Sequence, residues 1–370
     1  MSHVAVVGSG VAGASVAFAA ARAGATVTLI DDARIGRATA AGAGIIAPWA
    51  SSLSGDTYRL YAAGADAYPD VLAALTEVGI DDLGHATNGA LVVGPDGGPG
   101  QEVADRLAAR CARSAVAGTP EPIDAATART MFPPLADAWE GWFVPGGARV
   151  DGRRLAAGLV DGVTRLGGTV LAGTVDIDAG RVTVDGEPVD ADTLVVAGGA
   201  WTGELLGRSG HVVPVAAQRG QICHLELAGA DTGRWPSVLP VADHYIVPFD
   251  DGRVVVGATR EHGVGDPRVT AAGVAQVLDQ ALGLAPGLAD ATLLETRVGI
   301  RPFPTVAHRP TVGRIGERMW VVTGFGAIGL TIGPLVGFLV AAMIGGGDDD
   351  PLLVPFRPGD TPTGTWCRQP

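Results

Sequence analysis

The stretch VAVVGSGVAGASVAFAAARAGATVTLIDD, residues 4–32, constrains this chain more than any other part of it. An apolar strand over residues 4–7 runs straight into Gly8-Ser9-Gly10-Val11-Ala12-Gly13, an alanine-rich helix follows, and a second strand over 26–30 ends in Asp31 and Asp32. In a G-x-G-x-x-G turn the first glycine makes the tight corner and the second lets a pyrophosphate reach the amides at the helix N-terminus. The third allows helix and strand to pack closely. Gly8, Gly10 and Gly13 take those places, with Val11 and Ala12 opening the helix. Asp31 follows Gly8 by just over 20 residues, where a carboxylate can accept the ribose hydroxyls. An acid at this point favours NAD or FAD over NADP. The expected architecture is α/β, a Rossmann-type nucleotide-binding domain with a second domain attached.

Two further apolar strands end in glycine. One is LVVAGGAW, with Gly198 at the turn and Trp201 opening a helix; the other is MWVVTGFGAIGLTIGP, from Met319. A nicotinamide dehydrogenase needs only the first turn. FAD is longer, and its isoalloxazine must be lined by close backbone elsewhere, which suits the other two. The last turn opens residues 320–344, which carry no charge and by length could span a bilayer. Gly324, Gly326, Gly329, Gly333 and Pro334 argue against one continuous helix. The expected parse is a strand over 320–323, a glycine turn, and a helix from Thr331 or Gly333. That helix is too short to span, and its N-terminus is aimed at the flavin.

Composition removes several alternatives. At 370 residues and 47% hydrophobic content the chain can bury a large core, and a formal charge of −13 argues against nucleic acid or an anionic membrane surface as partner. All 26 basic residues are arginine, so lysine Schiff bases, pyridoxal phosphate attachment and the P-loop lysine are excluded. Cys111, Cys223 and Cys367 are far apart, without CxxC spacing, and read as reduced thiols of a cytoplasmic protein. The histidines show no metal-ligand spacing, and no metal is expected.

These motifs, together with GRATAAGAGIIAPW from Gly36, HYIVPFDDGRVVVGATRE from His244 and VGIRPFPTVAHRPTVG from Val298, resemble the D-amino-acid-oxidase superfamily of flavoproteins. Within it the resemblance is to the glycine oxidase and sarcosine oxidase branch, and it covers nearly the whole chain. It implies non-covalent FAD and a substrate domain built on a large mixed or antiparallel sheet. The FAD domain would comprise residues 1–84, 148–210 and 298–370, and the substrate domain residues 85–147 and 211–297. It implies Arg37 and Thr39 at the phosphates beside Ala40, and Ala41, Gly42, Gly44, Ile45 and Ile46 along the flavin ring. Val175 would pair its backbone with adenine. Gly324, Gly326, Ala327, Ile328, Gly329, Leu330 and Thr331 would form the wall near the pyrimidine side. Antiparallel hairpins are expected around Asp185-Gly186 and Asp251-Gly252, and helices within 53–84 and 267–287.

The resemblance further implies oxidation of an amine by hydride transfer to flavin N5 and hydrolysis of the resulting imine. Arg301, in GIRPF, falls at the carboxylate anchor, where a guanidinium supplies two parallel hydrogen bonds. Tyr245 falls near the same carboxylate, although a strand tyrosine packed in the core remains the other reading. Arg260 stands where a relative would turn an apolar side chain to the substrate, unless it simply pairs with Glu261. Other departures are His308 in a lengthened RPFPTVAHRP, Phe325 in place of histidine, and Ala327 where glycine oxidases carry arginine. Together they suggest a pocket not shaped for free glycine. No cysteine accompanies the Arg301 segment for covalent flavin, and the lysine that promotes oxygen reaction in some relatives is missing. The leading expectation is an oxidase of a glycine-type amine or D-amino acid, with molecular oxygen as acceptor and homo-oligomer formation open. The alternatives are a dehydrogenase passing electrons to a membrane quinone, a non-catalytic nucleotide-binding module, and a plain NAD dehydrogenase.

Overall fold

Val4, Ala5, Val6 and Val7 are buried without a polar residue between them, because their strand, His3–Val7, has neighbours on both sides, helices over one face and a small sheet that starts at Val175 over the other. The computed structural model describes residues 2–359 except Asp96, Ala179, Arg208, Ala242, Asp243, Ala307 and His308. Cys367 and His308 therefore lie outside the described residues. Among those described, six strands line up in the order Thr311–Arg314, Met319–Thr323, Thr193–Val196, His3–Val7, Thr26–Asp31 and Thr169–Ala172. All neighbours are parallel except at the Thr311–Arg314 edge. The three strands that end in glycine turns are adjacent in the middle of this sheet, so their turns emerge side by side.

The long apolar stretch is covered by protein. Helix Gly329–Ile344 packs along the fingerprint helix Val11–Arg22, with glycines at the crossing. A Cβ on Gly337 would sit 2.3 Å from the Ser15 Cβ, and one on Gly333 would sit 3.0 Å from Val11 methyls. Small residues on both helices let the backbones approach, and the apolar faces bury one another. Among the described residues no helix is long and apolar enough to cross a membrane. The helix begins at Gly329, earlier than the expected Thr331 or Gly333, and runs through Pro334. Proline there removes only the amide that would bond the Leu330 carbonyl, and the Tyr68 hydroxyl donates to that carbonyl instead.

The second sheet is mixed. Its two longest strands, Val215–Glu226 and Thr292–Pro304, pair antiparallel along nearly their whole length. Strands Arg253–Gly257 and Tyr245–Pro248 continue it, and Ser237–Pro240 joins Ala90–Pro95 in parallel. Its strands come from residues 85–147 and 211–304, so the expected boundary at 298 falls inside Thr292–Pro304. The Asp185-Gly186 corner, a two-residue hairpin loop, and the Asp251-Gly252 corner, within the three-residue loop between Phe249 and Arg253, are left-handed at both residues.

Candidate active site

The three glycine turns are fastened to one another. The Gly8 turn, at φ +104°, lies so close to the second strand that a Cβ there would stand 2.4 Å from the Ala197 carbonyl oxygen. A Cβ on Gly13 would come within 1.9 Å of the Gly8 carbonyl oxygen, which is the close packing its place in the motif calls for. Thr323 Oγ1, at the end of the third strand, donates to the Gly199 carbonyl at 2.9 Å, and Thr202 Oγ1 meets Thr323 Oγ1 at 3.2 Å. The Gly326 amide donates to the Pro302 carbonyl at 3.0 Å, tying the third turn to the residue after Arg301.

Between these turns and the second sheet runs a cavity of about 980 Å³, reaching from Gly8 and Asp31 past Thr39 and Ile45 to Ala327, Tyr245 and Arg301. At one end, Thr39 Oγ1 accepts from the Val11 amide at 3.0 Å and so covers the N-terminus of the fingerprint helix. Gly10, in the cavity wall, has extended backbone, and a Cβ there would meet only Thr39 Oγ1 at 3.3 Å. An extended cradle with a helix N-terminus and amides at one end and glycine turns along its side fits a dinucleotide with a second ring system.

Asp31 behaves differently from the expectation. Its Oδ2 accepts the Ser9 amide and hydroxyl, each at 2.6 Å, and its Oδ1 accepts the Ala33 amide at 2.6 Å and Arg37 Nη1 at 3.0 Å. Burial opposes the charge, but the Ser9 and Ala33 donors and the nearby Arg37 outweigh it and hold the carboxyl below its usual range. Four donors match the acceptor capacity of a carboxylate. The group therefore organises the turn first, and Arg37 is joined to it rather than standing alone over a phosphate. Asp31→Ala is expected to weaken FAD binding by about 1.5–3 kcal/mol through the loosened turn, read by titrating apoprotein with FAD. A dissociation constant equal to the parent's would show that Ser9 is held by other means.

At the other end, Arg301 projects from Thr292–Pro304 across the backbone of Val215–Glu226. Its Nη1 donates to Gln218 Oε1 at 3.2 Å and to the Thr259 carbonyl at 3.1 Å. The guanidinium lies flat on Gly220, where a Cβ would come within 2.3 Å of it. Burial raises the Tyr245 phenol, and a hydrogen bond with Arg301 and the charges of Arg301 and Arg260 only partly offset it. Tyr245 is thus a neutral hydroxyl at the cavity wall, not a core residue facing elsewhere. Arg260 also lines the cavity. Its neighbour Glu261 is bound instead to Arg219, with Gln221 Nε2 at 2.8 Å and Thr259 Oγ1 at 2.9 Å.

Most expected residues line this cavity, including Ala12, Asp32, Ala41, Gly42, Gly44, Val175, Gly198, Trp201, Gly324, Ile328, Gly329, Leu330 and Thr331. Two do not. Ile46 pairs with Ala148 in a small sheet and is 2% exposed, so it belongs to the core. Ala40 is absent from the wall, and its carbonyl accepts from Arg153 and Arg297. Gln218 and Gly220 were not anticipated. A glycine inside the strand segment QRGQICH was the available signal, since it marks a close approach. Cys111 and Cys223 are buried free thiols that do not line the cavity.

A profile of the FAD dependent oxidoreductase family (DAO) matches residues 3–343. The chain belongs to this family. It is an FAD-dependent oxidoreductase, with a Rossmann-type FAD domain and a sheet-based second domain. This oxidoreductase is 39% identical over 368 residues to the uncharacterized oxidoreductase YurR of Bacillus subtilis, covering 97% of this chain and 99% of the relative. It is 30% identical over 363 residues to the glycine oxidase of Geobacillus kaustophilus, covering 93% and 94% of the two chains. Among solved structures it is similar to iminodiacetate oxidase (IdaA) from Chelativorans sp. BNC1, with TM-score 0.91 and 41% identity over 96% of this chain and 98% of that one. The glycine oxidase structure from Geobacillus kaustophilus gives TM-score 0.83 at 26% identity, over 96% and 98%.

Proposed function

We propose that this oxidoreductase is an oxidase of amino acids with a glycine-type amine: glycine, sarcosine or another N-substituted glycine, with a D-amino acid as the alternative. The observation that carries this reading is the Arg301 guanidinium, pressed flat on Gly220 beside the Tyr245 hydroxyl, at the end of the cavity opposite the dinucleotide turn. A carboxylate held there by two parallel N–H donors and one hydroxyl has a fixed orientation, and so has the carbon attached to it. The relatives that are glycine and iminodiacetate oxidases support the substrate class.

FAD held here would supply the acceptor for a hydride from the carbon bearing the amine, and with the amine proton also lost the resulting imine would be hydrolysed by water to an oxo acid and the freed amine. The residues of this chain do the rest by placement. Gly8, Gly10 and the Thr39 side chain, which accepts from the Val11 amide, would border the pyrophosphate. Gly44, Ile45 and the Ala327–Thr331 wall would border the ring, with the N-terminus of Gly329–Ile344 favouring negative charge nearby. Tyr245 keeps its proton and donates to the substrate carboxylate.

An anaerobic screen of amines by flavin bleaching tests the reading whatever the final acceptor. Carboxylate-bearing amines should bleach the flavin, and under air hydrogen peroxide should form in step with the oxo acid. Bleaching without peroxide would make the protein a dehydrogenase, and the quinone reading would replace oxygen. Preference for amines without a carboxylate would remove the role of Arg301.

A further inference from the structure

We propose that Gln218 is a positioning residue for the carboxylate anchor, and that His262 sets which end of its side-chain amide faces Arg301. This rests on the reading of Arg301 as the anchor. The three residues form one row across neighbouring strands. Arg301, on Thr292–Pro304, and His262, on the short strand Glu261–His262, are both register partners of Gln218, on opposite sides of Val215–Glu226. Alternation along the strands puts the adjacent pair, Arg219 and Glu261, on the other face, where the two bind each other. Gln218 lines the cavity but is only 4% exposed, so both ends of its amide need partners.

The chemistry of the three groups allows one arrangement. Arginine has no acceptor, so only the Gln218 oxygen can face it. Oε1 does so, 3.2 Å from Arg301 Nη1, and the Thr259 carbonyl stands 3.1 Å from the same nitrogen. Nη1 carries two N–H groups and meets two protein acceptors, which leaves a carboxylate the Nε–Nη2 edge of the guanidinium. At the far end of the amide, Gln218 Nε2 lies 3.0 and 3.3 Å from the two ring nitrogens of His262. An imidazole with one unprotonated nitrogen accepts there, whichever nitrogen that is. The ring is braced edge-on by Phe303, two residues beyond Arg301, with centroids 4.8 Å apart and an interplanar angle of 88°. Turned round, the amide would set its NH2 group against a cation and lose both contacts.

The test is anaerobic reduction of holoenzyme by whichever of glycine, sarcosine and D-alanine bleaches the flavin fastest, with limiting rate and dissociation constant measured separately. Methoxyacetate has the carboxylate and no nitrogen to oxidise, so its perturbation of the flavin spectrum reads the anchor alone. His262→Leu removes the acceptor, and His262→Arg replaces it with donors only. Each should weaken methoxyacetate about 10-fold and slow the limiting rate on the order of 10-fold. His262→Gln, whose own oxygen can accept, should recover most of both. Gln218→Met, with the same reach and no amide, should show both defects more strongly. A row that only stabilised the sheet would lower the melting temperature of these variants and leave rate and methoxyacetate affinity parental; that result overturns the proposal. So does a His262→Gln variant as impaired as His262→Leu. If Arg301→Ala slows reduction while His262→Leu and Gln218→Met keep the parental rate, the anchor stands and this proposal falls. If Arg301→Ala is reduced at the parental rate, or none of the three amines bleaches the flavin, the reading and the proposal fall together.

Discussion

Arg301→Ala is expected to slow anaerobic flavin reduction by carboxylate-bearing amines by at least about 100-fold, the effect of misplacing a reacting carbon by roughly 1 Å. FAD content should be unchanged, because the Arg301 side chain is turned to Gln218, Gly220 and the Thr259 carbonyl of the second sheet and not to the Gly8 turn. Arg301→Lys should recover little, since a single ammonium cannot reproduce two parallel hydrogen bonds. Gly220→Ala offers an independent route to the same defect. Its Cβ would stand 2.3 Å from the guanidinium, so Arg301 must move while its charge stays. A parental reduction rate in Arg301→Ala would end the anchor assignment, and Arg260 would become the leading candidate. A defect in Arg301→Ala that Gly220→Ala does not share would show that charge matters there and placement does not.

The second large effect is expected at Gly10. Its backbone is extended, at φ −65° and ψ 172°, which any residue adopts, and its missing Cβ faces only Thr39 Oγ1 at 3.3 Å. Gly10→Leu should therefore fold and unfold cooperatively while retaining almost no FAD, because the side chain fills the cradle. Gly13→Ala separates this from a folding defect. Its Cβ would overlap the Gly8 carbonyl oxygen at 1.9 Å, so that variant should lose stability itself. The measurements are flavin-to-protein ratio after gel filtration and thermal unfolding of each variant. A ratio near one in Gly10→Leu would show that the pyrophosphate does not approach this turn.

Local pattern carried the first domain because local pattern is what a dinucleotide turn consists of. Strand, three spaced glycines, helix and terminal acid lie within residues 4–31, and each has a steric reason readable in one dimension. The same holds for the corners at Asp185-Gly186 and Asp251-Gly252, where positive φ at both residues selects Asp-Gly. Pro334 did not mark where the helix begins, because the Leu330 carbonyl that it leaves without an amide is met by a hydroxyl from Tyr68, 262 residues earlier in the chain.

The sequence by itself determined the nucleotide-binding turn, the existence of two more glycine turns, the absence of lysine chemistry and the candidacy of Arg301. Only the tertiary structure decided what each polar group does once it is placed. Asp31 was assigned to ribose by its position in the motif, but its carboxylate is taken up by Ser9, Ala33 and Arg37 of its own neighbourhood. Ile46 and Ala40 share a segment with true lining residues yet turn away, because a short strand and a carbonyl bonded outward fix their direction. Strand alternation could not say whether Arg260 meets Glu261 or the cavity; the answer depended on Arg219, across the sheet, having claimed Glu261. Gly220 acquires its meaning only when Thr292–Pro304 is laid beside Val215–Glu226 and brings Arg301 over it. Hydrogen-bond capacity and steric contact are set between segments far apart in the chain, and so they become legible only when the chain is folded.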